Sequence, residues 1–410
     1  MEEETSKLPL PGAFVEFLEA NGVDPSIYSA TDSTPRYIRL KPGCEAEIDE
    51  VEAEIKCKLE RVSWLPGFYS LPPNIHIANS KAYQQGKIYG IDAASGAAVS
   101  ALNISAGDHV LDLCAAPGAK LCLMLDLLGD LGSVTGVDVS RHRLAACRTM
   151  LQKYASGNRS RLFVADGTAF SLIPIRVQPD SKSCESAFGE KVERFKEWTS
   201  RRTWKERKKA ARARDTVALL PGIQQPELIF YGKHSGIVGL SKDELYQTHS
   251  DGDFLSSGYD KILVDAECTH DGSIKHIQKF EQWGWKTLEH RVLHAERTDS
   301  LTVLQVAESW RAACLQHLQV AFWAFPVDIE RPNLHTHFPV HSLFPLVSIS
   351  LTVAQNEDVV EQFLKENASA GMIVLRILMK GSLIYIRVAG DRSCKRLALS
   401  ERFDTKNLAF

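Results

Sequence analysis

Along this chain, short apolar runs that stop at an acidic or small residue alternate with stretches whose apolar positions recur at helical spacing. Pro11–Gly22 predicts a short amphipathic helix, Arg36–Lys41 a strand with basic and apolar residues interleaved, and Ile48–Leu59 a second helix. Leu65–Pro72 reads as a turn-rich connector. From about residue 82 the alternation becomes regular. A helix over Ala93–Leu102 leads into a strand at His109–Leu113, and a helix over Leu121–Leu128 follows. Val134–Asp138 and Leu162–Asp166 predict further strands, with a helix over Arg141–Tyr154 between them, and Lys261–Asp265 a fourth strand. This rhythm predicts an α/β fold with a doubly wound, mostly parallel sheet covered by helices on both faces. It breaks between Phe170 and Tyr259, and Ala307–Val340 has no clear period. Thr352–Ala370 predicts an acidic helix, and the apolar runs Met372–Met379 and Leu383–Val388 a closing hairpin. The expected organisation is a small α/β module over 1–80 and a main domain over 81–370 that carries an insertion at about 171–259. A C-terminal segment over 371–410 has no fold legible from sequence.

Bulk composition adds little beyond length. The 410 residues are enough to bury a full core, and a formal net charge of −3 points to no partner. Local charge is more informative. Lys191–Arg214 is dense in Lys and Arg (Arg201, Arg202, Lys205, Arg207, Lys208, Lys209, Arg212, Arg214), with Trp198 and Trp204 among them. That pattern suits an arm that tracks phosphates, a nuclear localisation signal or a solvated loop. In the first module Arg36, Tyr37, Arg39, Lys41, Trp64 and Tyr69 could contact RNA or simply form a solvated strand face. The nine cysteines are scattered, and none forms a Cys-x-x-Cys pair. The spacing argues against a zinc ribbon, no metal is expected, and a reducing compartment, nucleus or cytoplasm, is. No apolar run is long enough to span a bilayer, so no membrane partner is expected. The opening Met-Glu-Glu-Glu-Thr lacks the layout of a signal peptide.

The candidate chemistry starts where the first regular strand ends. Cys114-Ala115-Ala116-Pro117-Gly118-Ala119-Lys120 is a small-residue turn between a strand and a helix, the place where α/β folds hold nucleotide-like cofactors. It has neither the Gly-x-Gly-x-x-Gly of a nicotinamide site nor the hydroxyl that a P-loop needs for Mg²⁺. S-adenosylmethionine fits better, because it has no phosphates but does carry a ribose diol and an adenine amino group. Asp138, at the second strand tip, is placed for the diol, and Asp166, at the third, for the amino group. The alternative is that both are helix N-caps. Asp265-Ala-Glu-Cys268, at the fourth tip, sets a thiol beside an acid; the plainer alternative is a cysteine used as a buried hydrophobe.

These motifs resemble those of the Nol/Nop/Sun (RsmB-type) RNA 5-methylcytosine methyltransferases. The likeness is carried by Asp112–Lys120, by Gly136–Ser140 with Arg141 and Arg143, by Ala165–Gly167, and by Asp265–Cys268. Tyr89–Ser95 is similar to the motif preceding the family's cofactor loop, and Ser350–Asp358 to the segment after its second active-site cysteine. The likeness covers roughly 80–170, 255–304 and 348–370. It implies a sheet of the S-adenosylmethionine-dependent methyltransferase type after an RNA-binding module, acting on cytosine C5 in RNA, tRNA ahead of rRNA. It also implies site roles: Cys114–Lys120 for the cofactor's methionine end, Asp138, Arg143 and Asp166 for its nucleoside, and Asp265 shared between cofactor and base. Cys268 and Lys120 take catalytic parts. A thiolate adds to C6 and makes C5 enamine-like, Asp265 acts at N3, and Lys120 tunes the thiol.

The chain departs from the family in three places. Ile349 stands where the attacking cysteine is expected, and isoleucine cannot add to a pyrimidine. Glu267 replaces the usual proline before Cys268, and Thr269-His270 the usual Ser-Gly after it. The stretch over 306–347 lacks the expected helix, Gly-rich turn and strand. Three explanations stay open: Cys268 is the attacking thiol; the chain binds cofactor and RNA without methylating; or 306–347 derives from a variant transcript or a faulty gene model.

Overall fold

A computed structural model describes residues 10–21, 24–28, 35–129, 132–154, 157–175, 226–232, 237–240, 258–271, 273–315, 344–348, 357–366, 370–379 and 382–391. The first module opens with α1 (Gly12–Ala20), β1 (Arg36–Leu40) and α2 (Ile48–Ile55). It continues through β2 (Glu60–Arg61), β3 (Phe68–Leu71), α3 (Lys81–Gln84) and β4 (Ile88–Gly90). The four strands form one sheet in the order β2-β3-β1-β4, antiparallel throughout. Part of the expected connector is thus a strand, whose two faces are both used: Phe68 enters the cluster of the main sheet, while Leu71, with Tyr69 beside it, packs in the module's own core. The second helix stops earlier than its apolar spacing suggests. Lys56 adopts the left-handed conformation at its C-terminus (φ 53°) and turns the chain out.

The main sheet alternates strand and helix: α4 (Ala93–Ala101), β5 (His109–Asp112), α5 (Ala119–Leu128), β6 (Ser133–Asp138), α6 (Arg141–Lys153) and β7 (Ser160–Val164). Two short strands, β8 (Ile173–Ile175) and β10 (Ile237–Leu240), pair with each other antiparallel, while β9 (Glu227–Tyr231) joins the main sheet. With β11 (Lys261–Leu263) the order is β11-β5-β6-β7-β9, parallel except for the edge strand β9. Neighbouring residues of one strand enter opposite cores. Val110 packs with Leu121, Val134 and Leu162 on one face; Leu111 packs with Val137, Phe163 and Ile262 on the other. Burial on both faces explains why these strands read as nearly unbroken apolar runs. β6 is buried at all six positions, and a Cβ on Gly136 would sit 2.9 Å from Leu162 and 3.0 Å from Ala115. That close approach lets the loop after β5 rest on the sheet.

After β11 come α7 (Ile274–Trp283), α8 (Trp285–Leu288), α9 (Ala295–Leu315), β12 (Phe344–Ser348), α10 (Glu357–Glu366), β13 (Ala370–Met379) and β14 (Ser382–Asp391). The expected C-terminal hairpin is present as β13–β14, and β12 pairs with β14, giving the order β12-β14-β13. β12 runs alongside β11. The expectation that 306–347 lacks a helix and a strand is corrected at both ends. Gln305, Val306, Glu308, Ser309, Ala312 and Leu315 form the buried face of α9. The presence of Gln, Glu and Ser on that face hid its helical period.

The first module is tied to the main domain by packing. Phe14 and Leu18 of α1, with Tyr28, share a cluster with Ile277 and Phe280 of α7 and Leu288 of α8. Arg39 and Lys41 are neither a solvated face nor free cations. Arg39 is 7% exposed and pairs with Asp126 of α5 at 3.6 Å, and Lys41 Nζ donates to the Tyr154 carbonyl at 2.7 Å. Lys191–Arg214 and Ile349 lie outside the described residues.

Candidate active site

The site forms at the C-terminal ends of β5, β6, β7 and β11. Asp112 ends β5, and the loop after it folds back onto β6: Ala115 N–H donates to the Val137 carbonyl at 2.8 Å. The Ala116–Pro117 bond is cis, and Gly118 adopts φ +107° with its Cα hydrogen directed at Cys147, where a Cβ would lie 3.0 Å from the Cys147 Cα. Only glycine combines that conformation with that approach. Ala119 then begins α5.

The carboxylates have distinct surroundings. Asp138 is buried. Its Oδ2 accepts from Ala116 N–H at 3.2 Å and its Oδ1 from Ser140 N–H at 2.8 Å. Arg143 steadies the arrangement, donating to the Ala116 carbonyl at 3.1 Å and lying 3.9 Å from Asp138. Ser140, not Asp138, is the N-cap of α6. Asp166 is exposed two residues past β7, where its Oδ1 accepts from the N–H and hydroxyl of Thr168 at 2.9 and 2.7 Å. No described helix starts at Asp166, so neither acid is a helix cap.

Asp112 is 1% exposed. Its Oδ1 accepts from Cys114 N–H at 3.2 Å, whereas its Oδ2 is buried with no hydrogen-bond partner. Burial, reinforced by Asp265, raises its carboxyl to about 7. Lys120 reaches from α5 to Asp265 Oδ2 at 2.6 Å, with both side chains mostly shielded. Despite burial, Asp265 and Asp112 hold the Lys120 ammonium above its ordinary value. Lys120 is thus committed to Asp265.

Two features of the site were not expected from sequence. Glu308 of α9 accepts from the Cys114 thiol, its two oxygens 3.4 and 3.5 Å from Sγ, and lies under Gly167, whose Cβ would meet Glu308 Oε1 at 3.1 Å. Burial, then the neighbouring Asp166, Asp265 and Asp112, raises Glu308 to about 7; burial, then Glu308, Asp112 and Asp265, push the Cys114 thiol well up. The second is His270, whose Nδ1 lies 2.7 Å from the Cys268 carbonyl oxygen. Cys268 itself is 3% exposed. Its loop is braced by Tyr28, whose hydroxyl donates to the Asp271 carbonyl, and by Gln305, which donates to the Glu267 carbonyl at 3.0 Å. Cys114–Lys120, Asp138, Arg143, Asp166 and Asp265 therefore converge on one end of the sheet, with Cys268 three residues past Asp265. Among the described residues no group of three or more His, Cys, Asp or Glu is arranged to hold a metal, and no helix is long and apolar enough to cross a membrane.

A doubly wound sheet whose strand tips carry a small-residue loop and successive carboxylates defines the fold of an S-adenosylmethionine-dependent methyltransferase. Residues 99–178 match the family described as 16S rRNA methyltransferase RsmB/F, a match that covers the strand–loop–helix segment of the site. The chain is similar to the ribosomal RNA small subunit methyltransferase B of Pseudomonas syringae pv. tomato, 34% identical over 84 residues, which is 20% of this chain and 18% of that protein. It is also similar to the 25S rRNA (cytosine-C(5))-methyltransferase NSUN5 of Arabidopsis thaliana, 27% identical over 113 residues, 27% of this chain and 20% of the relative. The matches span about a fifth of the length of these curated relatives. The crystal structure of NSun6 from Pyrococcus horikoshii with SFG superposes with a TM-score of 0.55 at 12% identity, covering 93% of this chain and 98% of that one, and so shares the fold.

Proposed function

We propose that the chain is an S-adenosylmethionine-dependent methyltransferase acting on cytosine C5 in RNA, in the nucleus or cytoplasm. The observation that carries this reading is the cofactor loop. A cis-Pro turn packed on Cys147 stands among Asp112, Asp138, Asp166 and Asp265, within a segment that matches the RsmB/F family. The site fits a cationic cofactor, because the Asp112 Oδ2 atom is buried without a partner and several carboxylates face the same space. Cys114–Lys120 would hold the methionine end, Asp138, with Arg143 behind it, the ribose, and Asp166 the adenine.

When bound, the sulfonium supplies an electrophilic methyl group. Cytosine C5 is a poor nucleophile, and the residues here act on the base. The Cys268 thiolate adds to C6, which places electron density on C5. As C6 is attacked, N3 takes a proton passed from the Lys120 ammonium through Asp265, whose carboxylate then accepts a hydrogen bond from N3–H and stabilises the adduct. Once C5 carries the methyl group, a base removes the C5 proton, the thiolate leaves C6 to restore the C5–C6 double bond, and N3 returns its proton along the same path. The base must leave its stack to reach these groups. The family resemblance favours tRNA over rRNA as substrate, whereas the matched relatives carry rRNA in their names.

A second reading, a protein that binds cofactor and RNA without transfer, is favoured by Ile349 and by the burial of Cys268. The test is transfer of labelled methyl from S-adenosylmethionine to total RNA divided by size, followed by digestion to nucleosides. Label in 5-methylcytosine that is lost in Cys268→Ser and Asp265→Asn supports the first reading. Cofactor binding with no label in RNA supports the second.

A further inference from the structure

Two tryptophans flank a single glycine at the end of α7, and their rings go different ways. Gly284 takes φ +91°, a conformation that glycine adopts without strain. Trp285 packs against the cluster that holds Phe14, Leu18 and Phe280, whereas Trp283 is 50% exposed. The apolar face of α7 is already filled by Ile277 and Phe280, both buried, so Trp283 adds little to the core.

Trp283 is nevertheless joined to the site. His276 meets its ring edge-on at 5.9 Å and lies 5.3 Å from the ring of His270, two residues past Cys268. A row of rings therefore runs from the loop of Asp265 and Cys268 out to the surface. Cations stand along it. Lys279 Nζ lies 5.9 Å from the Trp283 ring. Arg291 belongs to the same side: burial, then the charges of His270, Lys279 and Arg291, lowers the basicity of His276. Lys286, His290 and His294 are exposed in the turns that follow, the two histidine rings 5.7 Å apart. Glu289 is the exposed acid among the described side chains of 274–294.

We infer that this face binds the single-stranded RNA next to the target cytosine, with a base stacked on Trp283 and the backbone beside Lys279 and Arg291. Unpaired nucleotides are held by rings on which bases stack and by cations that follow the phosphates, and the face supplies both. Drawing one base out of its stack leaves its neighbour without a stacking partner, and Trp283 offers one. A protein partner fits less well. It would call for a contiguous apolar patch, but the described residues exposed nearest Trp283 along the chain are Lys279, Gly284 and Lys286. The inference rests on the reading of RNA as substrate and adds the route that the RNA takes; it is independent of which thiol attacks.

Trp283→Ala is the decisive variant, because a half-exposed ring can be removed without opening the core. The probe is a dye-labelled single-stranded RNA of about 16 nucleotides with one central cytosine, titrated at several salt concentrations. Stacking predicts binding roughly 5- to 100-fold weaker at unchanged salt dependence, with most of the affinity recovered in Trp283→Phe. Lys279→Gln should lower the salt slope by about one. With 5-iodouridine beside the cytosine, ultraviolet light should join the RNA to the peptide that carries Trp283, a contact that a purely structural tryptophan does not make. Equal affinity in Trp283→Ala, or cross-links only elsewhere in the chain, overturns the inference and leaves RNA as substrate intact, since the unaltered chain still binds. An unaltered chain that binds neither this RNA nor its duplex overturns the RNA reading itself, and this face with it.

Discussion

Replacing Lys120 with methionine removes the cation while keeping most of the buried aliphatic stem. Lys120 Nζ stands 2.6 Å from Asp265 Oδ2, with side-chain exposures of 17% and 21%. Behind it lies Asp112, buried with an unpartnered oxygen and eased by the Lys120 charge. Without the ammonium, two shielded carboxylates face each other uncompensated. Breaking a buried pair costs about 3–5 kcal/mol, and partial exposure here puts the loss at the lower end, about 3 kcal/mol. Urea unfolding at about pH 7.5 measures it as a lowered midpoint at unchanged slope. The double variant Lys120→Met/Asp265→Asn recovers much of the loss, giving a coupling of roughly 2 kcal/mol. The loss is smaller at about pH 5.5, because Asp112 is raised to about 7 and is neutral there in the folded chain. A single-variant loss below about 0.5 kcal/mol, or purely additive effects, would refute the reasoning.

Other consequences follow from the same geometry. Asp112 rises from 3.8 to about 7 on folding, so the folded chain binds the extra proton. Stability therefore falls as pH rises from about 4 to 7, by up to ~4 kcal/mol from this group, and Asp112→Asn flattens that slope in unfolding curves taken across pH. Glu308→Leu removes a second buried acid raised to about 7; thermal melts at about pH 8 should show stabilisation of roughly 1–3 kcal/mol, and destabilisation would contradict the burial argument. Gly118→Val meets both a φ of +107° and the Cys147 backbone, so it should cost about 2 kcal/mol or more in urea and abolish cofactor binding by calorimetry. Tyr28→Phe removes the hydroxyl bond to the Asp271 carbonyl; a loss of about 1 kcal/mol with faster amide exchange over 266–271 is expected, and unchanged exchange would show that the first module does not brace the loop.

The strands at the centre of the sheet were legible because they are buried on both faces, and the loop between β5 and α5 because small residues must sit between a strand and a helix. The residues behind the site were harder to read. Glu308 reaches Cys114 from 194 positions away, and nothing local marks a glutamate on a helix as a site neighbour. Polar residues on the buried side of α9 masked its period, and the edge strand β9 has only Leu228 fully buried. His270 carried a sequence signal, since it stands where the family has small residues, but its contact with Cys268 depends on a left-handed turn that sequence does not announce for histidine. Arg39 and Lys41 show the converse: an exposed-looking basic strand whose charges are spent on Asp126 and the Tyr154 carbonyl.

The central claim is that this site forms a covalent bond with cytosine during methyl transfer. RNA transcribed with 5-fluorocytidine tests it directly, because fluorine at C5 cannot leave as a proton and the adduct cannot resolve. Incubated with S-adenosylmethionine, the chain should form a denaturant-resistant complex with this RNA. Peptide mass spectrometry should place the bond at Cys268, and Cys268→Ser should abolish it. Cofactor binding with no covalent complex, or a bond at another cysteine with Cys268→Ser fully active, would contradict the account.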